Sequence, residues 1–212
     1  ILFVGLNIVG VELSFKVTLT VTLLALAVLV VFWISAIPNI EFSAWALNIG
    51  SGGELLEGGG GPFLPMGIGG ALAAMPFAVW LFLAIEQLPL AAEESVDPKR
   101  DMPKGIILGM ITLIVSASMV LFLNPSLVGV GAYALGQSGE PLLDGFSAIY
   151  GSGLAKVLAL VAIIGLISSF HTIIFAQGRQ IYSLSRAGYF PTWLSITHGT
   201  RKTPHVAMIA GA

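Results

Sequence analysis

Hydrophobic and polar positions in this chain fall in long blocks rather than in alternation. Residues 17–40 contain no charged side chain. The stretch VTLTVTLLALAVLVVFWISA within them is long enough, at about 1.5 Å per residue, to cross an apolar layer of about 30 Å. Trp33 suits an interfacial anchor near its end, and Pro38-Asn39 closes it. Three further apolar runs follow at residues 68–92, 105–123 and 157–178, the third of the four being stopped by Asn124-Pro125. The pattern predicts four helical spans at about 11–36, 68–95, 104–124 and 154–179, in a single transmembrane domain covering 1–212. The fold class is all-α integral membrane. Residues 41–67 include SGGELLEGGGGP, which cannot be helical throughout because each interior glycine costs about 1 kcal/mol. They read as a flexible extramembrane loop. The four glycines are no phosphate cradle, since no Lys-Ser/Thr follows and no strand precedes. Residues 126–153 are apolar enough to hold a short helix lying on the protein. Ile1 is not a start residue, and 204–212 open another apolar run, so an internal piece, cut at both ends, is expected.

Composition fixes the solvent. The chain is 56% hydrophobic and 9% charged, with mean hydropathy +0.95; soluble domains carry about 25% charged residues. Its partner is therefore the lipid bilayer. A net charge of −2 gives no basis for nucleic-acid binding. The absence of cysteine excludes disulfides, thiol catalysis and cysteine-ligated metals. No nucleophile–base constellation or metal-ligand spacing is present, so neither an enzyme nor a cofactor or metal is expected. Eight of the nine basic residues fall on one side of four alternating spans, Lys156 being the exception. The positive-inside rule makes that side cytoplasmic, which places the 93–104 and 180–204 loops inside a cell (plasma or inner) membrane.

One span is unusual. Residues 68–92 would extend roughly 37 Å as a straight helix, more than a crossing needs. They carry Pro76, Pro89 and one isolated acid, Glu86. A charge in hydrocarbon costs about 2.5–3.5 kcal/mol or more, so Glu86 either faces a cavity at a broken helix or sits at the interface beside a simple proline kink. Pro89 frees a carbonyl about four residues back, near Ile85, and freed backbone at membrane depth belongs where it lines a cavity. Trp80 either faces lipid or, at the end of the outer half of a broken helix, covers a cationic substrate. Hydroxyls within the fourth span, Ser168 and Ser169, either bond their own backbone or hold a sodium ion. His171 is a packed helix residue or a proton relay. Glu93, Glu94, Lys99 and Arg100 form a loop charge network, with Arg179 or Arg186 as partners holding an inner gate.

Three motifs carry a family resemblance. Trp80, Phe82 and Ala84-Ile85-Glu86, followed by Ala91-Ala92-Glu93-Glu94, Pro98, Arg100, Pro103 and Ile106, resemble the sixth helix and following loop of amino acid–polyamine–organocation permeases. Gly178-Arg179-Gln180-Ile181-Tyr182 through Arg186-Ala187-Gly188-Tyr189-Phe190-Pro191 resembles the motif after helix eight. Leu6-Asn7, Gly10-Val11 and Ser14 are similar to the entry to helix five. The resemblance implies a LeuT-type inverted-repeat transporter, of which this chain supplies helices five to eight. It implies substrate binding at Trp80, Phe82, Leu83, Ala84 and Ile85, the last three as unwound backbone, and gating or proton linkage at Glu86. Two departures stand out: Ala84 replaces the usual hinge glycine, and no lysine occupies the 22–25 region of helix five. The run AMPFAVWLFLAIEQLPLAAEE most resembles ethanolamine permeases. The implied activity is secondary active transport of a small amine, ethanolamine by that likeness, with a proton or sodium as coupling ion. A general amino acid permease and a non-transporting nutrient sensor on the same fold are the alternatives.

Overall fold

In a computed structural model, residues 4–5, 11–83, 85–199 and 203–211 are described. Among them there is no strand, only two isolated antiparallel bridges, and helices dominate. We number them α1 (Val11–Ala36), α2 (Gly67–Leu81), α3 (Pro98–Leu123), α4 (Gly131–Leu135), α5 (Pro141–Arg186) and α6 (His205–Gly211), with short 3-10 segments between. Four stretches are long and apolar enough to cross a membrane: Phe15–Asn39, Gly67–Ala92, Pro98–Ser126 and Pro141–Arg186. The protein is an all-helical membrane protein.

Each long helix forms where the backbone has no water to turn to and must satisfy itself. α1 and α3 end by the same device. A proline blocks continuation at Ile37–Asn39 and at Asn124–Ser126. Neighbouring polar side chains then take the last carbonyls: Asn39 Nδ2 donates to Ser35 O at 2.9 Å, and the Ser126 hydroxyl donates to Phe122 O. The chain after each stop pairs with the other, Ile40 bridging Leu127, with Glu41 N donating to Ser126 O at 2.9 Å and Val128 N to Asn39 O at 3.1 Å. The C-terminal ends of α1 and α3 therefore meet, as two intervening crossings require.

α3 begins earlier than the pattern of apolar residues predicts. Pro98 takes the first helical position, where its missing N–H is not needed. The amides of Arg100 and Asp101 donate to Asp97 O at 3.2 and 2.8 Å, and Ser95 Oγ donates to Asp101 Oδ2 at 2.9 Å. The charged Pro98–Lys104 segment is thus helix rather than loop.

α5 contains a break: Gly151 has φ 75° and ψ 163°, so 141–150 and 152–186 are two helices joined end to end. At the far end Gly188 (φ 85°) lets its own amide donate to Ser185 O at 3.1 Å while Tyr189 N donates to Leu184 O at 3.0 Å. That is the Schellman stop, which needs a left-handed residue at this place. Ser185 Oγ, buried, donates to Pro191 O at 2.7 Å and closes the turn. The Arg-Ala-Gly-Tyr-Phe-Pro motif is thus a helix terminator.

The chain divides into two compact units, residues 1–25, 84–107 and 163–212 in the first and 26–83 and 108–162 in the second. The first is held along a seam of α1 and α5. Phe15 lies edge-on to Phe175 with centroids 5.3 Å apart, Thr22 Oγ1 is 3.5 Å from Ser168 Oγ, and a Cβ at Gly165 would sit 2.8 Å from that of Ala25. Positions rise on one helix as they fall on the other, so the two run antiparallel. A small apolar cluster of Val4, Ile174, Phe175 and Met208 completes this unit.

The second unit has its core at Phe32, Ala36, Leu123, Leu127, Val130, Phe146 and Ala155. Phe32 and Phe146 are fully buried and meet edge to face at 5.2 Å and 86°. The 41–67 segment also belongs here, and it is not the flexible loop that its glycines predict. It opens with a π turn at Phe42–Ala46 and folds back on itself. Leu56 N donates to Asn48 O at 2.9 Å, Gly60 N to Ser43 O at 2.9 Å and Gly61 N to Leu47 O at 2.8 Å. Gly59, at φ 78°, has no room for a side chain, since a Cβ would strike Ser43 O and the Ala44 backbone. The glycines allow close backbone approach here rather than looseness.

Candidate functional site

The second span is interrupted where its sequence puts the acid and the second proline. α2 keeps its helix through Pro76 and ends at Leu81. Phe82 N then donates to Val79 O at 3.1 Å and Leu83 N to Trp80 O at 3.2 Å, a tightening to three-residue spacing. The chain resumes as a 3-10 helix over Ile85–Glu94. Runs of this kind beyond three or four residues are uncommon and often mark a hinge. In three-residue spacing the carbonyl that Pro89 deprives of a donor is that of Glu86 itself, not that of Ile85 as α-helical spacing would have it. Leu88 anchors the segment: a Cβ at Gly105 of α3 would lie 3.0 Å from its Cδ2.

The division between the two units also falls at residue 83/84. In the second unit Trp80 is 74% exposed, Leu83 is exposed and Phe82 half-buried. In the first, Ile85 is half-buried and Glu86 exposed. Neither the indole nor the carboxylate is spent on filling a core. Ala84 lies outside the described residues.

The hydroxyl pair separates. Ser168 is buried on the α1–α5 seam, 3.5 Å from Thr22 Oγ1 and 3.4 Å from the carbonyl of Thr18. Ser169, one position on, is exposed. Three oxygens thus converge from Ser168, Thr22 and Thr18, and Ser169 is not among them. Thr22 was legible as a polar position in an apolar helix, whereas Thr18 contributes its main-chain carbonyl, which no residue type announces. His171, on the same helix, is buried.

Of the expected loop network, the Glu93 and Glu94 side chains lie outside the described residues. Arg100 is exposed. Arg179 is buried with its guanidinium 5.4 Å from the centre of the Phe175 ring. Arg186 is exposed and stays with its own helix, over the Tyr182 ring at 5.6 Å and donating to its hydroxyl at 3.5 Å. Ser95 Oγ also ties the start of α3 through Asp101, a pair that sequence reasoning passed over.

An uncharacterized transporter of Rhizobium meliloti (strain 1021) is 30% identical over 96% of this chain and 42% of its own length. The branched-chain amino acid permease BcaP of Bacillus subtilis (strain 168) is 28% identical over 69% of this chain and 31% of its own. A methylthioribose transporter of the same organism is 25% identical over 92% and 38%. The chain therefore spans less than half the length of these relatives. No solved structure matches it. The family match runs from end to end, over residues 1–212: the chain belongs to the amino acid permease family.

Proposed function

We propose that the protein is a secondary active transporter for a small amine solute, ethanolamine in the first instance, and works by alternating access at the interrupted second span. The observation that carries this reading is the loss of α-helical spacing after Leu81 and its replacement by the 3-10 run Ile85–Glu94. Backbone groups left without helical partners at membrane depth are tolerated where they line a cavity, and discontinuous helices are where transporters of this kind hold their substrates. Trp80, Phe82, Leu83, Ala84 and Ile85 would line the substrate. Glu86 would face its ammonium or take part in gating. Residues 1–212 act as one transmembrane domain in this account, with residues 93–104 and 180–204 cytoplasmic by the basic-residue bias. Either a proton or sodium drives the cycle; the Ser168–Thr22–Thr18 oxygens are the candidate sodium ligands.

Amino acid permease activity is the second reading, favoured by the family match and by the name of the Bacillus subtilis branched-chain permease. An amino acid carries a carboxylate as well as an amine, and that group needs a positive helix end. An ethanolamine cation needs only the indole and the acid. Uptake of labelled ethanolamine by the full-length protein in proteoliposomes separates the two. Saturable uptake resisting a large excess of amino acids is expected; uptake blocked by amino acids but not by unlabelled ethanolamine would overturn the ethanolamine reading. Binding without any uptake would point to a sensor on the same fold.

A further inference from the structure

The 41–67 segment, folded as described above, lines an open-sided pocket of about 480 Å³ in the second unit, within the size range of small-ligand sites. Its lining includes Glu41, Trp45, Asn48, Leu55, Leu56 and Glu57. The two carboxylates come from opposite ends of the fold-back, sixteen residues apart in sequence, and reach one cavity because the chain is pinned between them. Trp45 N donates to Glu41 O at 3.0 Å, and the Gly60–Ser43 and Gly61–Leu47 bonds draw the second arm onto the first. Asn48, only 5% exposed, accepts from Tyr133 N at 2.9 Å and fixes the floor to α4. Glu41 and Glu57 remain exposed, and Trp45 is half-buried.

The chemistry of this cavity is one-sided. It combines an aromatic face, two carboxylates and an apolar wall of Leu55 and Leu56. No Lys, Arg or His occurs anywhere from residue 17 to 98, so no base of this stretch competes for the acids. A cation is attracted to the face of an indole, and each carboxylate adds attraction that salt screens. An anion meets repulsion from both acids, and a neutral solute gains neither the charge attraction nor the cation–π contact.

We propose that this pocket is a second binding site, outside the spans, for the ammonium group of a small organic amine. It captures the cation by charge and hands a raised local concentration to the interrupted helix. The proposal rests on the amine reading above and on the sidedness that puts residues 41–67 outside the cell.

The test uses the full-length protein labelled with 5-fluorotryptophan, the Trp45 and Trp80 resonances being assigned by Trp45→Phe and Trp80→Phe. Ethanolamine hydrochloride is titrated at low and high ionic strength, with ethylene glycol as the uncharged control. The Trp45 resonance should move saturably with ethanolamine, should not move with ethylene glycol, and should lose most of its response in Glu41→Gln/Glu57→Gln. The same double variant should lower uptake kcat/KM by about three- to tenfold at low salt and little at high salt, the behaviour of charges at a rim. A Trp45 resonance that ethanolamine leaves in place, or that moves equally in the double variant or with ethylene glycol, would overturn the proposal. The Trp80 resonance reports separately on the interrupted helix. Movement of Trp80 without Trp45 removes the capture site and leaves the transport reading standing, whereas movement of Trp45 without Trp80 does the reverse.

Discussion

Glu86→Gln should lower amine uptake about 10- to 100-fold while leaving insertion and yield unchanged. Glutamine keeps the size and polarity of the side chain and removes only the charge. A hydrogen bond to a charged group is worth about 1.5–3 kcal/mol, which sets the expected loss. Glu86 is exposed, so the substitution opens no cavity and removes no core contact, and a folding defect would not explain lost uptake. Trp80→Ala should add a smaller effect, about 2- to 30-fold, from the loss of the aromatic face; at 74% exposure it too is no core residue. Uptake by the variants in proteoliposomes, normalised to protein inserted, measures both. Near-normal uptake in both would remove this stretch from the substrate site.

Phe146→Ala should have the largest effect on stability. Phe146 is fully buried, edge-on to Phe32 at 5.2 Å, and within 6.4 Å of the Tyr150 ring. It sits on the 141–150 helix, which the Gly151 break detaches from the long helix beyond it. Truncation leaves a cavity and forfeits the aromatic pair, costing about 3–5 kcal/mol. Phe146→Leu keeps most of the volume and should cost about half as much or less. Thermal unfolding followed by intrinsic fluorescence should therefore rank wild type above the leucine variant and that well above alanine. Equal melting temperatures for all three would contradict the assigned core.

The spans were legible because a backbone without water has one way to satisfy itself, and twenty apolar residues in a row leave no alternative. The stops at Pro38-Asn39 and Asn124-Pro125 were legible for a related reason: proline cannot donate, and the neighbouring polar residue can reach a bare carbonyl. What the pattern missed depends on particular contacts that hydropathy does not record. The glycines of 58–61 looked like slack because composition records their freedom and not the Ser43 and Ala44 backbone packed against one of them. Residues 93–104 looked like a loop, since the Asp97 carbonyl that takes the Arg100 and Asp101 amides and the Ser95–Asp101 bond are invisible to hydropathy. Ser168 and Ser169 looked equivalent as neighbours, yet adjacent helix positions point about 100° apart, and only one of them meets Thr22. The interruption after Leu81 was readable from an acid and a proline within an overlong span. Its 3-10 spacing was not, and that spacing moves the freed carbonyl from Ile85 to Glu86.

The central claim is that residues 80–86 line a water-filled amine site. The chain has no cysteine, so a single introduced thiol is the one reporter within it. Leu83→Cys in the full-length protein, treated with a membrane-impermeant cationic thiol reagent, tests the claim most directly, with Phe77→Cys on the α2 helix as the reference. The account predicts that position 83 reacts much faster than position 77, and that ethanolamine slows the reaction at 83 in proportion to its occupancy of the transporter. Equal, slow reaction at both positions, or a reaction at 83 that ethanolamine leaves unchanged, would contradict it.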